Sequence, residues 1–131
     1  MGKLERIKKT ITEFIYYPEH DKRHETEEYR KNREILTKQY GCYICGSKEN
    51  LETHHYGCEW AEWNSTNPEK LKEFLLEFDI YGYSKKYKDK PITSPDDIRN
   101  LMVLCQKHHR HKFYGIHNMT FPIWIMQRIK K

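Results

Sequence analysis

Leu4, Ile7, Ile11, Phe14 and Ile15 recur at three- and four-residue intervals, which predicts an amphipathic helix over residues 3–16 that Tyr16-Tyr17-Pro18 would stop. Residues 22–39 are dense in charge, with Tyr29, Ile35, Leu36 and Tyr40 as apolar anchors and Gly41 placed as a helix stop. They predict a second, solvent-washed helix. Its cations Lys22, Arg23, Arg30, Lys31 and Arg33 stand among Glu25, Glu27 and Glu28, a pattern more typical of a solvated face than of a phosphate-binding one. Leu51-Glu-Thr-His54-His55-Tyr56 reads as a short strand. Asn67-Pro68 is a helix start, followed by Leu71, Phe74, Leu75 and Phe78 as the buried stripe. Residues 81–93 form a lysine- and tyrosine-rich loop, Ser94-Pro95-Asp96-Asp97 a short turn and Leu101–Leu104 a strand. Cys105–Tyr114 reads as a helix ended by Gly115. The apolar run from Phe121 to Met126 is expected to pack back on the domain or on another copy, so that this tail and the N-terminal helices are candidate dimer surfaces.

Composition narrows the picture. With 131 residues, 37% of them hydrophobic and 33% charged, and a mean hydropathy of −1.03, the chain has the length of one domain and little apolar side chain to fill it. No run approaches the roughly 20 apolar residues of a membrane span, and charge follows Met1-Gly2 at once, so neither a membrane segment nor a signal peptide is expected and the protein reads as cytoplasmic. The net charge of +5 is unevenly spread: residues 41–81 carry −5 and residues 82–131 carry +8. The basic final third suits a polyanion, and Lys85, Lys86, Lys88, Arg110 and Lys112 are its candidate nucleic-acid contacts.

Four cysteines and eight histidines in a reducing compartment point to metal ligation rather than disulfides, and a metal can supply folding free energy that a thin core lacks. Cys42 and Cys45 are spaced to share one zinc ion, and Cys105 with His108 repeats that spacing some sixty residues later. Cys58 and His109 compete with His108 for the fourth position, and the repeated spacing favours His108. A four-ligand site is closed and structural, so any chemistry sits elsewhere. His54 and His55 end a strand, where neighbours point to opposite faces: one can bind a metal while the other stays free to accept a proton.

Taken together, Cys42-x-x-Cys45, Leu51-Glu-Thr-His54-His55 and Asn100-Leu-Met-Val-Leu-Cys105-x-x-His108-His109 resemble the HNH (ββα-metal) nucleases over residues 42–109, and the opening of the inserted segment resembles small HNH proteins of phages. The resemblance implies an α+β fold. Its parts would be a helical extension (residues 1–40), a ββα-metal core with a structural zinc knuckle (41–117) carrying a helical insertion (57–97), and an apolar and basic tail (118–131). It implies His54 and His109 as ligands of a catalytic Mg²⁺ or Mn²⁺ ion, with Ni²⁺, Co²⁺ or Zn²⁺ as alternatives. His55 would be the general base, and Asn100 would either brace the base's loop or help hold the metal. Where several members place a third metal-binding histidine this chain has Phe113, leaving Asn100, water or substrate phosphate for that role, with His111, His117 and Glu59 less favoured.

The implied activity is hydrolysis of DNA phosphodiesters to 5′-phosphate and 3′-hydroxyl ends, in a host cytoplasm if the chain is phage-encoded. The rival is a zinc-stapled nucleic-acid-binding module without catalysis, which would need the cysteines and the basic loop but not His55. A third candidate is an interaction scaffold built on the N-terminal helices and the tail.

Overall fold

The computed structural model describes residues 4–131. It is a small α+β domain built around two antiparallel strands, β1 (Leu51–His55) and β2 (Leu101–Cys105), in a register that sets Leu51 opposite Cys105 and His55 opposite Leu101. All five residues of β2 are buried, because both faces of the sheet are covered. Leu101 and Val103 pack with Tyr29 and Leu36 of helix α1 (Glu27–Gln39), whereas Met102 and Leu104 pack with Cys42, Ile44 and Trp124 on the other side. The inserted segment brings a third cluster, Cys58, Leu71, Leu75 and Ile92, around helix α2 (Pro68–Glu77).

The helices start where capping chemistry allows. The Thr26 hydroxyl accepts from the Tyr29 amide to begin α1, and the Asn67 side chain accepts from the amides of Glu69 and Lys70 to begin α2, with Pro68 as its first residue. A single turn, α3 (Tyr83–Lys86), lies in the basic loop. β2 runs directly into α4 (Gln106–Arg110), and α5 (Phe121–Ile129) closes the chain.

Several expectations need correction. Over residues 4–26 there is no regular structure, so α1 is the sole helix of the expected N-terminal helical pair; residues 1–3 lie outside the described part. Leu4, Ile7, Ile11, Phe14 and Ile15 are 54–102% exposed: no face of the domain meets their stripe, and a helix of that length is marginal in water without one. The charged helix begins at Glu27, not residue 22. Gly41 does not stop it by a left-handed turn; it is needed because a β-carbon there would stand 2.5 Å from the Gly46 carbonyl oxygen. Phe74 and Phe78 are 42% and 55% exposed, so only Leu71 and Leu75 of the expected stripe are core. The final core helix ends at Arg110 rather than Tyr114: the Gly115 amide donates to the His111 carbonyl and the Ile116 amide to that of His108, folding residues 111–118 back on α4.

The tail docks on its own domain. Trp124 is fully buried and its indole N–H donates to the His108 carbonyl at 2.8 Å, while Phe121, Ile123, Met126 and Ile129 stay exposed. No described helix is long and apolar enough to cross a membrane. Trp124→Ala removes the largest fully buried side chain among the described residues and is expected to cost about 3–5 kcal/mol, measured as the loss of unfolding free energy in a urea titration.

Candidate functional site

The turn at residues 42–46 is closed by Gly46 at φ +76°, a left-handed conformation that glycine adopts freely, with the Gly46 amide donating to the Cys42 carbonyl and the Cys42 amide to that of Ser47, each at 2.8 Å. This turn sets Cys42 and Cys45 against Cys105 and His108, where β2 passes into α4. The four ligand atoms lie within 4.8 Å of one another. Cys45 Sγ is 3.8 Å from Cys105 Sγ, and His108 Nδ1 is 3.2 Å from Cys105 Sγ and 3.9 Å from Cys42 Sγ. Ligands at about 2.3 Å around one zinc stand about 3.8 Å apart on a tetrahedron's edges, so this donor set could hold such an ion. Burial pushes the Cys105 thiol up, and the neighbouring Cys42 sulfur adds to that, a crowding that a cation would relieve. Cys58 is not part of the cluster. Its sulfur contacts the Thr66 hydroxyl at 3.1 Å, and it packs with Leu71 and Leu75 as a buried apolar residue.

A second cluster lies across α4 from the first. His54, His109 and His117 bring ligand nitrogens within 4.8 Å of one another, with His109 Nε2 only 3.1 Å from His117 Nε2. His117 is the third histidine of this cluster, and Phe113 is 64% exposed. His117 reaches the cluster because the chain doubles back after Arg110 instead of continuing as helix. The alternative ligand Asn100 is committed elsewhere, and His111 Nδ1 accepts from the Phe113 amide at 3.0 Å while its ring lies tilted against Tyr114. Glu52, two residues before His54 and on the same strand face, accepts from His109 Nδ1 at 2.8 Å, which turns Nε2 towards the cluster. Burial, reinforced by the charges of His109 and His117, holds His54 down to about 3, and burial also lowers His109 against the opposing pull of Glu52. Neutral imidazoles are the form that binds metal.

His55 faces the other way. Its ring stacks on Tyr29 with centroids 5.6 Å apart, and Nε2 donates to Asp96 Oδ1 at 2.8 Å. Asp96 is held in turn by the Thr26 hydroxyl at 2.7 Å and, through its carbonyl, by Asn32 Nδ2 at 2.9 Å. Burial alone would raise the Asp96 carboxyl, but the bonds from His55 and Thr26 and the charges of His55 and Arg23 outweigh it and hold the group below its usual range. Asn100 is fully buried and uses its whole amide: Oδ1 accepts from the Gly57 and Cys58 amides at 3.0 and 2.9 Å, and Nδ2 donates to the Cys58 and Pro95 carbonyls at 2.8 and 2.7 Å. It braces the turn carrying Asp96 and has no valence left for an ion. Gly57 permits this, since a β-carbon there would stand 2.8 Å from Asn100 Oδ1 and 2.6 Å from a Leu75 methyl.

All four of His54, His55, His109 and His117 line one open cleft of about 450 Å³, bounded on its other side by Tyr17, His20, Arg23, Glu59 and Trp60. The candidate phosphate contacts stand differently. Arg110 is engaged by Glu52 through two bonds of 3.0 and 2.7 Å, so it is not a free cation, and Lys112 stands over the Phe113 ring. Lys85, Lys86 and Lys88 do not line the cleft; Lys86 stands over Tyr87, beside α3. Arg23, expected to be solvated, is the cation that the structure brings to the cleft. No family model matches this chain, and no solved structure matches it.

Two residues of the site carry no signal of their part in it from motif or spacing, and a third, His117, stands in the sequence only as a less favoured ligand candidate beyond the helix end expected at Gly115. Asp96 was assigned only to a turn, and Glu52 shows itself solely through strand alternation with His54.

Two measurements follow. Cys105→Ala should lose the bound zinc that Cys58→Ala retains, read by metal content of the purified proteins. The lowered Asp96 stabilises the fold above the unfolded carboxyl value of about 3.9, and that contribution is lost as pH falls through the lower folded value. The stability difference between wild type and Asp96→Asn, taken from denaturant unfolding, should therefore be constant near neutrality and shrink below about pH 4.

Proposed function

We propose that the protein is a metal-dependent DNA endonuclease of the HNH type, in which β1, β2 and α4 form a ββα-metal core and phosphodiester hydrolysis leaves 5′-phosphate and 3′-hydroxyl ends. The observation that carries this is the pairing, in one open cleft, of a three-histidine cluster with a fourth histidine oriented by a buried carboxylate. The three imidazoles fit a divalent ion, since their nitrogens converge, burial keeps His54 neutral and Glu52 orients His109. Three nitrogen donors suit Mn²⁺, Co²⁺, Ni²⁺ or Zn²⁺ better than Mg²⁺, which prefers oxygen, so the Mg²⁺ alternative loses ground once His117 joins the set. When bound, such an ion supplies charge neutralisation at the scissile phosphate and its departing oxygen.

The protein's own groups do the rest. With the Nε2 proton of His55 donated to Asp96, Nδ1 is the basic nitrogen and takes a proton from the attacking water. Asp96 then faces the imidazolium and stabilises it, while Tyr29 and the Asn100 brace keep ring and carboxylate in place. Arg23 at the cleft wall offers a second positive group to a phosphate.

The test is incubation of supercoiled plasmid with the zinc-loaded protein and added Mn²⁺, with and without chelator. Wild type should nick or linearise the plasmid. His55→Ala should lose at least about a hundredfold in rate while keeping its zinc and its affinity for DNA. His117→Ala should raise the Mn²⁺ concentration needed for half-maximal cleavage, whereas Phe113→Ala should leave it unchanged. Cleavage that survives His55→Ala, or none with any of the four transition-metal ions, refutes the proposal.

A further inference from the structure

The cleft has two walls of opposite character. One carries His54, His109 and His117; the other carries Trp60, Tyr17 and Glu59, with Arg23 beside Trp60. The second wall is assembled on purpose-built contacts between a segment without regular structure and the inserted segment. The Tyr17 hydroxyl donates to Glu59 Oε2 at 3.5 Å, Asn64 Nδ2 donates to the Glu19 carbonyl, and the His20 ring stands edge-on to Trp60 with centroids 5.2 Å apart. Glu59 in turn raises the Tyr17 phenol, as an anion beside it must.

A nucleic-acid backbone running along both walls would bring its phosphates against Glu59, well inside the roughly 8 Å over which charges act at physiological salt. An unpaired nucleotide has the polarity of the cleft itself: an anionic phosphate at one end, and at the other a flat π-surface edged with N–H donors. In a duplex the bases stay stacked and paired, and none is presented to Trp60.

We infer that the cleft accepts an unpaired nucleotide of single-stranded, gapped or flapped DNA, with its phosphate on the histidine wall, its base stacked on Trp60, and Glu59 accepting from an exocyclic amine. What happens to the phosphate rests on the nuclease proposal above; the binding preference does not.

The experiment uses the wild-type chain, zinc retained and no other divalent ion added, with fluorescence anisotropy of a labelled mixed-sequence single strand and of a hairpin duplex of the same strand at matched salt. The single strand should bind at least roughly tenfold tighter. Trp60→Ala should weaken single-strand binding by roughly 5- to 100-fold, the loss of one stacked base, and leave the hairpin unchanged; Trp60→Phe should keep most of the affinity. Glu59→Ala, whose side chain is exposed and not part of the core, should abolish a preference for oligodeoxycytidylate over oligothymidylate, because thymine lacks an exocyclic amine. Equal or tighter binding of the hairpin, equal losses on both probes, or indifference to cytosine in the wild type would overturn the inference. Plasmid cleavage in Mn²⁺ alongside equal affinities overturns it while sparing the nuclease; selective single-strand binding with neither the plasmid nor that same single strand cleaved in Mn²⁺ upholds it and removes the nuclease.

Discussion

Successive side chains of a strand leave on opposite faces, and the site depends on that constraint. Along β1, Leu51, Thr53 and His55 turn towards α1, where the Thr53 hydroxyl meets that of Tyr29 at 2.7 Å and His55 meets Asp96. Glu52 and His54 turn towards α4, where they meet His109. Two adjacent histidines can thus have unrelated partners a few ångströms apart. A slip of one residue in the pairing with β2 would exchange the faces, sending His55 into the histidine cluster and His54 against Tyr29. The register is held because β2 is apolar on both faces and each face has its own cover, so a slipped strand gains nothing to bury.

The covers are thin, and polar ties make up for it. The largest clusters contain only a handful of buried side chains, and the Cys42, Cys45, Cys105 and His108 set joins the knuckle, the end of β2 and the start of α4 at one point. The indole of Trp124 bonds the carbonyl of His108, so the last helix is fastened to a residue of that set rather than to a broad apolar surface. Arg99 plays a similar part for the insertion, where its guanidinium binds both oxygens of Asp97 and the carbonyls of Tyr87, Lys90 and Pro91. Buried charge is expensive, and here every donor of that group is directed at an acceptor.

What was legible in the chain divides along physical lines. Short-range chemistry read well: the caps Asn67 and Pro68, the strand through Leu101–Leu104, and the two-residue spacing of the Cys42–Cys45 and Cys105–His108 pairs, whose ligand atoms do converge. Periodicity misled where no partner surface exists. The stripe from Leu4 to Ile15 has the spacing of a helix, but spacing says only which face would be buried, not that anything waits to bury it. Contacts between residues distant in sequence were invisible, as with Asp96 reaching His55 and His117 returning to His109, since each depends on how a turn of the backbone is oriented in space. The family resemblance implied a proton-accepting role for His55 but carried no hint of the carboxylate behind it.

Asn100 gives the architecture one further property. A single carboxamide grips the chain where it leaves β1, at Gly57 and Cys58, and where it comes back, at Pro95, so the excursion between them begins and ends at a common clasp. Closing a longer loop costs only slightly more entropy than closing a shorter one. A change of length in the exposed turns of residues 59–93 would therefore add little to the closure cost, while Asn100 keeps both ends of the excursion, and with them the turn carrying Asp96, at one place.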